Sequence, residues 1–280
     1  MKVTVNPAGV IEVRVRQSWL SNARDCMEKG RLDTFVEERV SSDLAAIGTA
    51  VHAAAEYAFH NTQAELFELV EVATQSWKDQ CIAGIRWTKM DEGSGLLEVQ
   101  SLTTQWHRQL RRVITKPVAA EMPFDVLFDE FELNGQPIRI YLTGTMDLVQ
   151  EDGLWDWKTS GRKYNWYDKQ NESIQASVYA AAAVRLGLLQ YPVQFNFAVM
   201  LRGTTQVQLC DVLRTEAHEA WLREQIRALV VNSQVVGFTT KWPMNDQGAL
   251  CSPEWCDHWG ACKGQHVGRV SITPKSRKAQ

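Results

Sequence analysis

"GTMDLVQEDGLWDWKTS", residues 144–160, decides the fold of this 280-residue chain. It reads as two short strands joined by a turn, yet it carries Asp147, Asp156 and Lys158 where a core hairpin should carry apolar side chains. With Asp152-Gly153 as a two-residue turn, the strongest short hairpin signal, Glu151 faces Leu154, Val149 faces Asp156 and Asp147 faces Lys158. Directly opposed residues share a face, and so do residues two apart on one strand. The three charges therefore project together, and Met146, Leu148, Trp155 and Trp157 form the opposite, apolar face. A slip of one residue would scatter them. Such a trio suits a surface ion pair on a solvated sheet. It also suits a hard divalent cation, Mg²⁺ or Mn²⁺, which takes a few carboxylates plus water and phosphate oxygens. In the second case the lysine stabilises charge on a phosphate, as in metal-assisted phosphodiester hydrolysis.

Working outward, strand-like alternation over 118–133, a turn at Asn134-Gly135 and a second strand over 137–150 lead into the hairpin. After it come a polar aromatic segment, 161–171, and a helix over 172–188. Two strands, 193–202 and 205–213, and a long helix follow. Upstream, the opening 19 residues alternate like a strand. Helices are expected over 18–30, capped by Ser18, then over 41–60, 64–80 and 95–114. The helix over 41–60 carries His52 and Glu56 one turn apart on one face. Strands, a helix and more strands describe an α/β sheet flanked by helices.

The apolar fraction of 45% is that of a globular protein. No apolar run is long enough to span a bilayer, and the N-terminus lacks the apolar block of a secretory signal, so the reading is cytoplasmic with no membrane partner. The net charge of −3 does not by itself mark a nucleic-acid binder. The stretch after Cys262 holds five Lys or Arg and no acid, which suits either a phosphate backbone or a solvated terminus. No G-x-x-x-x-G-K-[ST] loop is present, so no helicase motor is expected within the chain.

The ordered set "GTAVH" (48–52), "AAEMPF" (119–124), "GTMD" (144–147), "DWK" (156–158) and "QASVY" (175–179), with cysteines near the end, resembles the PD-(D/E)XK nucleases of the RecB-like branch, from Ser18 to Cys262. That group includes nuclease parts of recombination helicases, CRISPR-associated adaptation nucleases and phage exonucleases. The resemblance implies a restriction-endonuclease-like core, a mixed central sheet flanked by helices. It divides the chain into a mostly helical part (1–115), the catalytic core (116–235), a cysteine segment (236–265) and a basic tail (266–280). It implies a DNA exonuclease acting on single strands or ends, with recombination or CRISPR adaptation proteins as partners; an oligomer is compatible with it. Asp147, Asp156 and His52 would hold the metal, helped by the carbonyl of Trp157, and Lys158 would be the catalytic lysine. Gln175 and Tyr179, one turn apart, would position DNA or the attacking water. Glu121 matches the glutamate before the first core strand. A non-cleaving DNA-binding module has no need of these ligands.

"CSPEWCDHWGAC", 251–262, spaces Cys251, Cys256 and Cys262 closely enough to suggest a metal. A fourth ligand could come from Cys26, Cys81, Cys210, His258 or His266, and spacing does not choose among them. The resemblance implies Cys26 and a structural [4Fe–4S] cluster, with zinc as the alternative; Cys81 and Cys210 read as ordinary buried cysteines. "GRKYNWYDK", 161–169, mixes Arg162, Lys163 and Lys169 with Tyr164, Trp166 and Tyr167. Cations that hold phosphates beside aromatics that stack on bases suit one wall of a single-strand channel, or equally a loop anchored by its aromatics.

Overall fold

The computed structural model describes residues 1–267 other than 37–39, 247–249 and 254. The basic tail lies, from residue 268 on, outside the described residues. The opening stretch is a hairpin, β1 (Lys2–Val5) antiparallel to β2 (Ile11–Arg16). Asn6 closes it by accepting hydrogen bonds from the Ala8 and Val10 amides.

The helix expected over 18–30 is two helices, α1 (Gln17–Asp25) and α2 (Met27–Asp33), with Cys26 extended between them. The N-cap is Arg16 rather than Ser18, and it makes no side-chain bond. The chain breaks at Cys26 because α2 folds back hard onto α1. A Cβ on Gly30 would lie 2.5 Å from the Ala23 Cβ, and Trp19 Nε1 donates to the Gly30 carbonyl at 2.7 Å.

Next come α3 (Asp43–His60), α4 (Leu66–Ala83) and α5 (Glu92–Gln105). Ser42 caps α3 by accepting from the Ala45 amide. The buried alanines 46, 50, 54 and 58 of α3 let its neighbours approach closely. α5 runs on into a π turn (Trp106–Leu110) and a 3₁₀ turn (Arg111–Val113).

The remaining strands are β3 (Pro117–Leu133), β4 (Gln136–Gln150), β5 (Gly153–Ser160), β6 (Val193–Leu201) and β7 (Val207–Arg214). The helices among them are α6 (Trp166–Glu172), α7 (Ile174–Arg185) and α8 (Glu216–Val236). α6 occupies the segment read from sequence as irregular; Asn165 starts it by accepting from the Tyr167 amide. One seven-stranded mixed sheet runs β1-β2-β4-β5-β6-β7, with β3 beside β4. β2–β4 and β5–β6 are parallel pairs and the others antiparallel. Helices cover both faces. One core lies against α1, α7 and α8, the other against α3, α4 and α5.

Two features of this sheet make the site. β3 follows β4 along nearly its whole length. The other edge of β4 therefore carries β2 over Ile138–Thr143 and β5 over Leu148–Gln150. Between these stretches, residues 144–147 have no strand on that edge, and beyond Trp155 the strand β5 pairs only with β6. β2 and β5 are the tines of a fork. The second feature is a reversal of the pleat. Met122 and Met146 pack into the first core, but Ala120 and Leu148, two residues away on the same strands, pack into the second. The reversal is centred on Glu121 and Asp147, where Glu121 takes a left-handed φ of 42°.

The hairpin differs from the sequence expectation in two ways. Its turn is Glu151-Asp152, with Gln150 paired to Gly153 and Val149 to Leu154. Gly153 belongs to the strand because it crosses β6 closely: a Cβ there would stand 2.5 Å from the Gln194 carbonyl oxygen. The register thus moves by two residues, which preserves the parity of the charges. Neither face is solvated, since Asp147 and Asp156 are buried, and the four residues expected on one apolar face divide between the two cores. Among the described residues, no helix is long and apolar enough to cross a membrane.

Candidate metal centre

α3, β3 and β4 each deliver one ligand-type side chain to the fork. His52 Nδ1 lies 3.2 Å from Glu121 Oε1 and 3.7 Å from Asp147 Oδ2. One donor atom from each of His52, Glu121 and Asp147 falls within 4.8 Å of the others. The Trp157 carbonyl meets His52 Nε2 at 2.8 Å, and the Trp157 amide donates to Asp147 Oδ2 at 2.8 Å. The position of that peptide is fixed from behind, where the Trp157 ring packs edge-on against buried Trp106 with centroids 5.8 Å apart.

Asp156 and Lys158 stand on β5 beside this group. Lys158 Nζ is 2.5 Å from Asp156 Oδ2, and Gln175 at the start of α7 donates to Asp156 Oδ1 at 2.7 Å. Tyr179, one turn on, is buried against Phe124 and Phe195. Its ring also approaches Gly144, where a Cβ would lie 2.8 Å from the Phe124 ring.

The electrostatics are those of a site built for a cation. Burial alone would lower the pKa of His52, but the Asp147 carboxylate and the bond to Glu121 outweigh it and raise it to about 9. Burial pushes Asp156 up to about 6, against the pull of Lys158. Burial opposes the charge of Lys158, yet Asp156 and Asp147 raise its pKa, so the ammonium persists. Burial, with the two aspartates, lifts Tyr179 to about 12 and keeps its hydroxyl protonated. Glu121 stands opposite Asp147 in the β3–β4 register, between Ala120↔Leu148 and Met122↔Met146. Facing like charges are unfavourable unless a cation sits between them. An imidazole, two carboxylates and a carbonyl are hard and borderline donors fitted to Mg²⁺ or Mn²⁺.

The sequence reading placed His52, Asp147 and the Trp157 carbonyl in the metal group, and the structure brings them together. Glu121, whose role it left open, stands in that group more closely than Asp156, which is engaged by Lys158 and Gln175. Arg162, Lys163, Trp166 and Tyr167 are exposed and Tyr164 half-buried, with Lys169 Nζ 4.1 Å above its ring. Sequence reasoning missed Arg214. It is buried, and it donates to Ser177 Oγ and to the carbonyls of Lys169, Gln170, Ser173 and Leu213. It thereby ties α6, the start of α7 and the end of β7 together. Nothing in its local sequence distinguishes it from a solvated strand-end arginine.

Cys26, Cys251, Cys256 and Cys262 line one cavity of about 300 Å³, with Lys29, His258 and Trp259. Among the described residues, no three of their sulfurs come within 4.8 Å of one another. Burial raises the pKa of Cys256 and Cys262, and the thiols of Cys26 and Cys251 add to both rises. Cys210 is buried as expected, while Cys81 is only half-buried.

A mixed sheet forked at its centre, with carboxylates, a histidine and a lysine in the mouth of the fork, defines a metal-dependent nuclease of the restriction-endonuclease-like type. The model of the PD-(D/E)XK nuclease superfamily matches residues 26–263, and the chain belongs to that superfamily. No curated protein matches it. Among solved structures it is similar to the crystal structure of SSO0001, with 11% identity over 88% of this chain and 95% of that one and a TM-score of 0.32.

Proposed function

We propose that this nuclease is a DNA exonuclease acting on single strands or on ends. The observation that carries the hydrolytic reading is the convergence of His52, Glu121 and Asp147 beside the buried Lys158–Asp156 pair. His52, Glu121, Asp147 and the Trp157 carbonyl would hold a divalent cation, which when bound supplies Lewis acidity and activates water for attack on phosphorus. The chain's own residues do the rest. Lys158 brings a fixed positive charge to the place where charge grows on the phosphate. Gln175 holds Asp156, and Asp156 holds Lys158, so the ammonium is aimed before substrate arrives. Tyr179, protonated and rigid, fixes the wall of the cleft. The single-strand preference is supported by Trp166 and Tyr167, 52% and 66% exposed on α6 just past the catalytic strand. Trp166 is nonetheless anchored, its Nε1 donating to the Asp211 carbonyl at 2.7 Å, so an oriented ring is offered to an unpaired base.

The same reading includes a structural [4Fe–4S] cluster on Cys26, Cys251, Cys256 and Cys262. One zinc at ~2.3 Å from each of four thiolates holds the sulfurs about 3.8 Å apart. The wider set around a shared cavity suits a larger group. End-labelled single strands incubated with Mg²⁺ or Mn²⁺, with and without EDTA, test the activity. Progressive shortening that EDTA stops is the expected result, and intact DNA in both arms would overturn it. Anaerobic purification with an iron assay and visible spectrum tests the cluster; a colourless, iron-free protein would exclude it.

A further inference from the structure

A second cavity, about 640 Å³, opens where β2 ends and α1 begins, lined among others by Lys2, Arg14, Arg16, Ser18, Asp125 and Thr143. Lys2 and Arg14 face one another directly across β1 and β2, an unfavourable placement for two cations. Arg14 is offset by Glu12 and Asp125, each at 2.9 Å. Asp33, also on the wall, is engaged by His258 at 2.6 Å, Asn22 at 2.6 Å and Lys29 at 3.5 Å. Lys2 and Arg16 are exposed and make no ion pair with a described residue. The cavity therefore offers two uncommitted cations and the Ser18 hydroxyl, the Thr143 hydroxyl being turned to the Val15 carbonyl.

Its position matters as much as its charge. Arg16 is the last residue of β2 and pairs with Thr143, four residues before Asp147. At the ~3.3 Å rise of a strand this is about 13 Å along β4. Arg162 and Lys163 follow the end of β5, the other tine of the fork. A strand whose scissile phosphate sits at Asp147 and Lys158 would meet cations on both tines.

We propose that the Lys2–Arg16 cavity binds the backbone phosphates of the DNA strand on the β2 side of the catalytic fork. The proposal rests on the nuclease reading above and adds a second contact that sets how the strand is held. Ser18 donates to a phosphate oxygen, Arg16 takes two of them, and no base is read, so the contact is independent of sequence.

The test measures binding of a fluorescent single-stranded oligonucleotide by anisotropy, in Ca²⁺ to hold back cleavage, over a series of salt concentrations. Each phosphate contact contributes about 0.7 to the log–log salt slope for a single strand. The double variant Lys2→Gln/Arg16→Gln should therefore lose about 1.4 from that slope and bind more weakly at low salt. Lys78→Gln/Lys89→Gln, of equal charge change on the α4 side, should leave the slope unaltered. Equal slopes in the parent and the Lys2/Arg16 variant, or equal losses in both variants, would overturn the site. If the parent binds no DNA and cuts none, the nuclease reading fails and the site with it. If the parent binds and cuts while the Lys2/Arg16 variant matches it, only the site fails.

Discussion

In the proposed reaction Lys158 is the residue on which the chemistry turns, because its charge is the one placed to follow the phosphate. Lys158→Ala is expected to cut hydrolysis by more than about 100-fold, the scale of losing one preorganised electrostatic partner. The fold should survive, since Asp156, already raised towards neutrality by burial, keeps its bond from Gln175. Single-turnover cleavage beside a thermal melt checks both; equal rates in parent and variant would end the assignment. Glu121 gives a sharper case. Its φ of 42° is one that L residues adopt at a cost of roughly 1–2 kcal/mol, and its carboxylate opposes that of Asp147. Glu121→Gly should relieve both while giving up the bond to His52. Above about pH 9, where His52 is neutral, the relief should show as a Tm higher by about 2–4 °C per kcal/mol recovered, with cation binding weakened by calorimetric titration. A Tm below the parent's at that pH would show that the strain is not there. Asp147, Asp156 and Lys158 were legible from sequence because strand parity survives a two-residue register shift. Glu121 was marked by the resemblance alone and its role left open, because a left-handed residue inside a strand leaves no periodic trace.

At the scale of elements, two buried charged groups hold helices where the site needs them. Asp43 opens α3, the helix of His52, and accepts from Thr88 Oγ1 and the amides of Thr88, Lys89 and Met90. Burial alone would raise its pKa, but these bonds depress it far below the usual carboxylate range. A depressed carboxylate adds stability above its unfolded pKa of about 3.9 and loses it as pH falls towards the folded value. The parent should therefore lose stability more steeply below about pH 4 than Asp43→Asn, which starts lower at pH 7. Denaturant midpoints at several pH values check this; parallel curves would refute it. Arg214 does for α6 and α7 what Asp43 does for α3. Arg214→Met strands buried carbonyls and should cost on the order of 2–4 kcal/mol, and chemical denaturation measures it. The strands β3 to β7 and the helices α3, α7 and α8 were legible because their periodicity is strong, whereas the opening stretch, read as one strand, is the β1–β2 hairpin. The break at Cys26 and the helicity of 166–172 were not, because tertiary contacts decide them: Gly30 against Ala23 in the first case, Gln170 and Trp166 against the edge of β7 in the second.

For the whole molecule, the question is what ties the two ends of the chain to the catalytic sheet. The cysteine cavity joins the α1–α2 break to residues 251–262, and polar contacts share that task. Glu28 accepts from the Trp242 amide at 2.8 Å, Arg31 Nη1 donates to the Phe238 carbonyl at 2.6 Å, and His258 meets Asp33 at 2.6 Å. α1 also packs on α7, whose first turn carries Gln175, and Asn22 lines both the cysteine cavity and the Lys2–Arg16 cavity. A ligand bridging Cys26 to the distal cysteines would close a loop of more than 200 residues, which greatly restricts the unfolded chain, and its bonding would add to folding stability directly. Cys26→Ser should then lower Tm by several degrees, bleach the visible absorption of anaerobically purified protein, and weaken DNA binding through the shared wall at Asn22. Serine is nearly the size of cysteine, so packing alone predicts almost no change. A variant with the parent's Tm and spectrum would mean that the four cysteines hold nothing, and that direct contacts such as those of Glu28, Arg31, His258 and Asn245 join these segments without them.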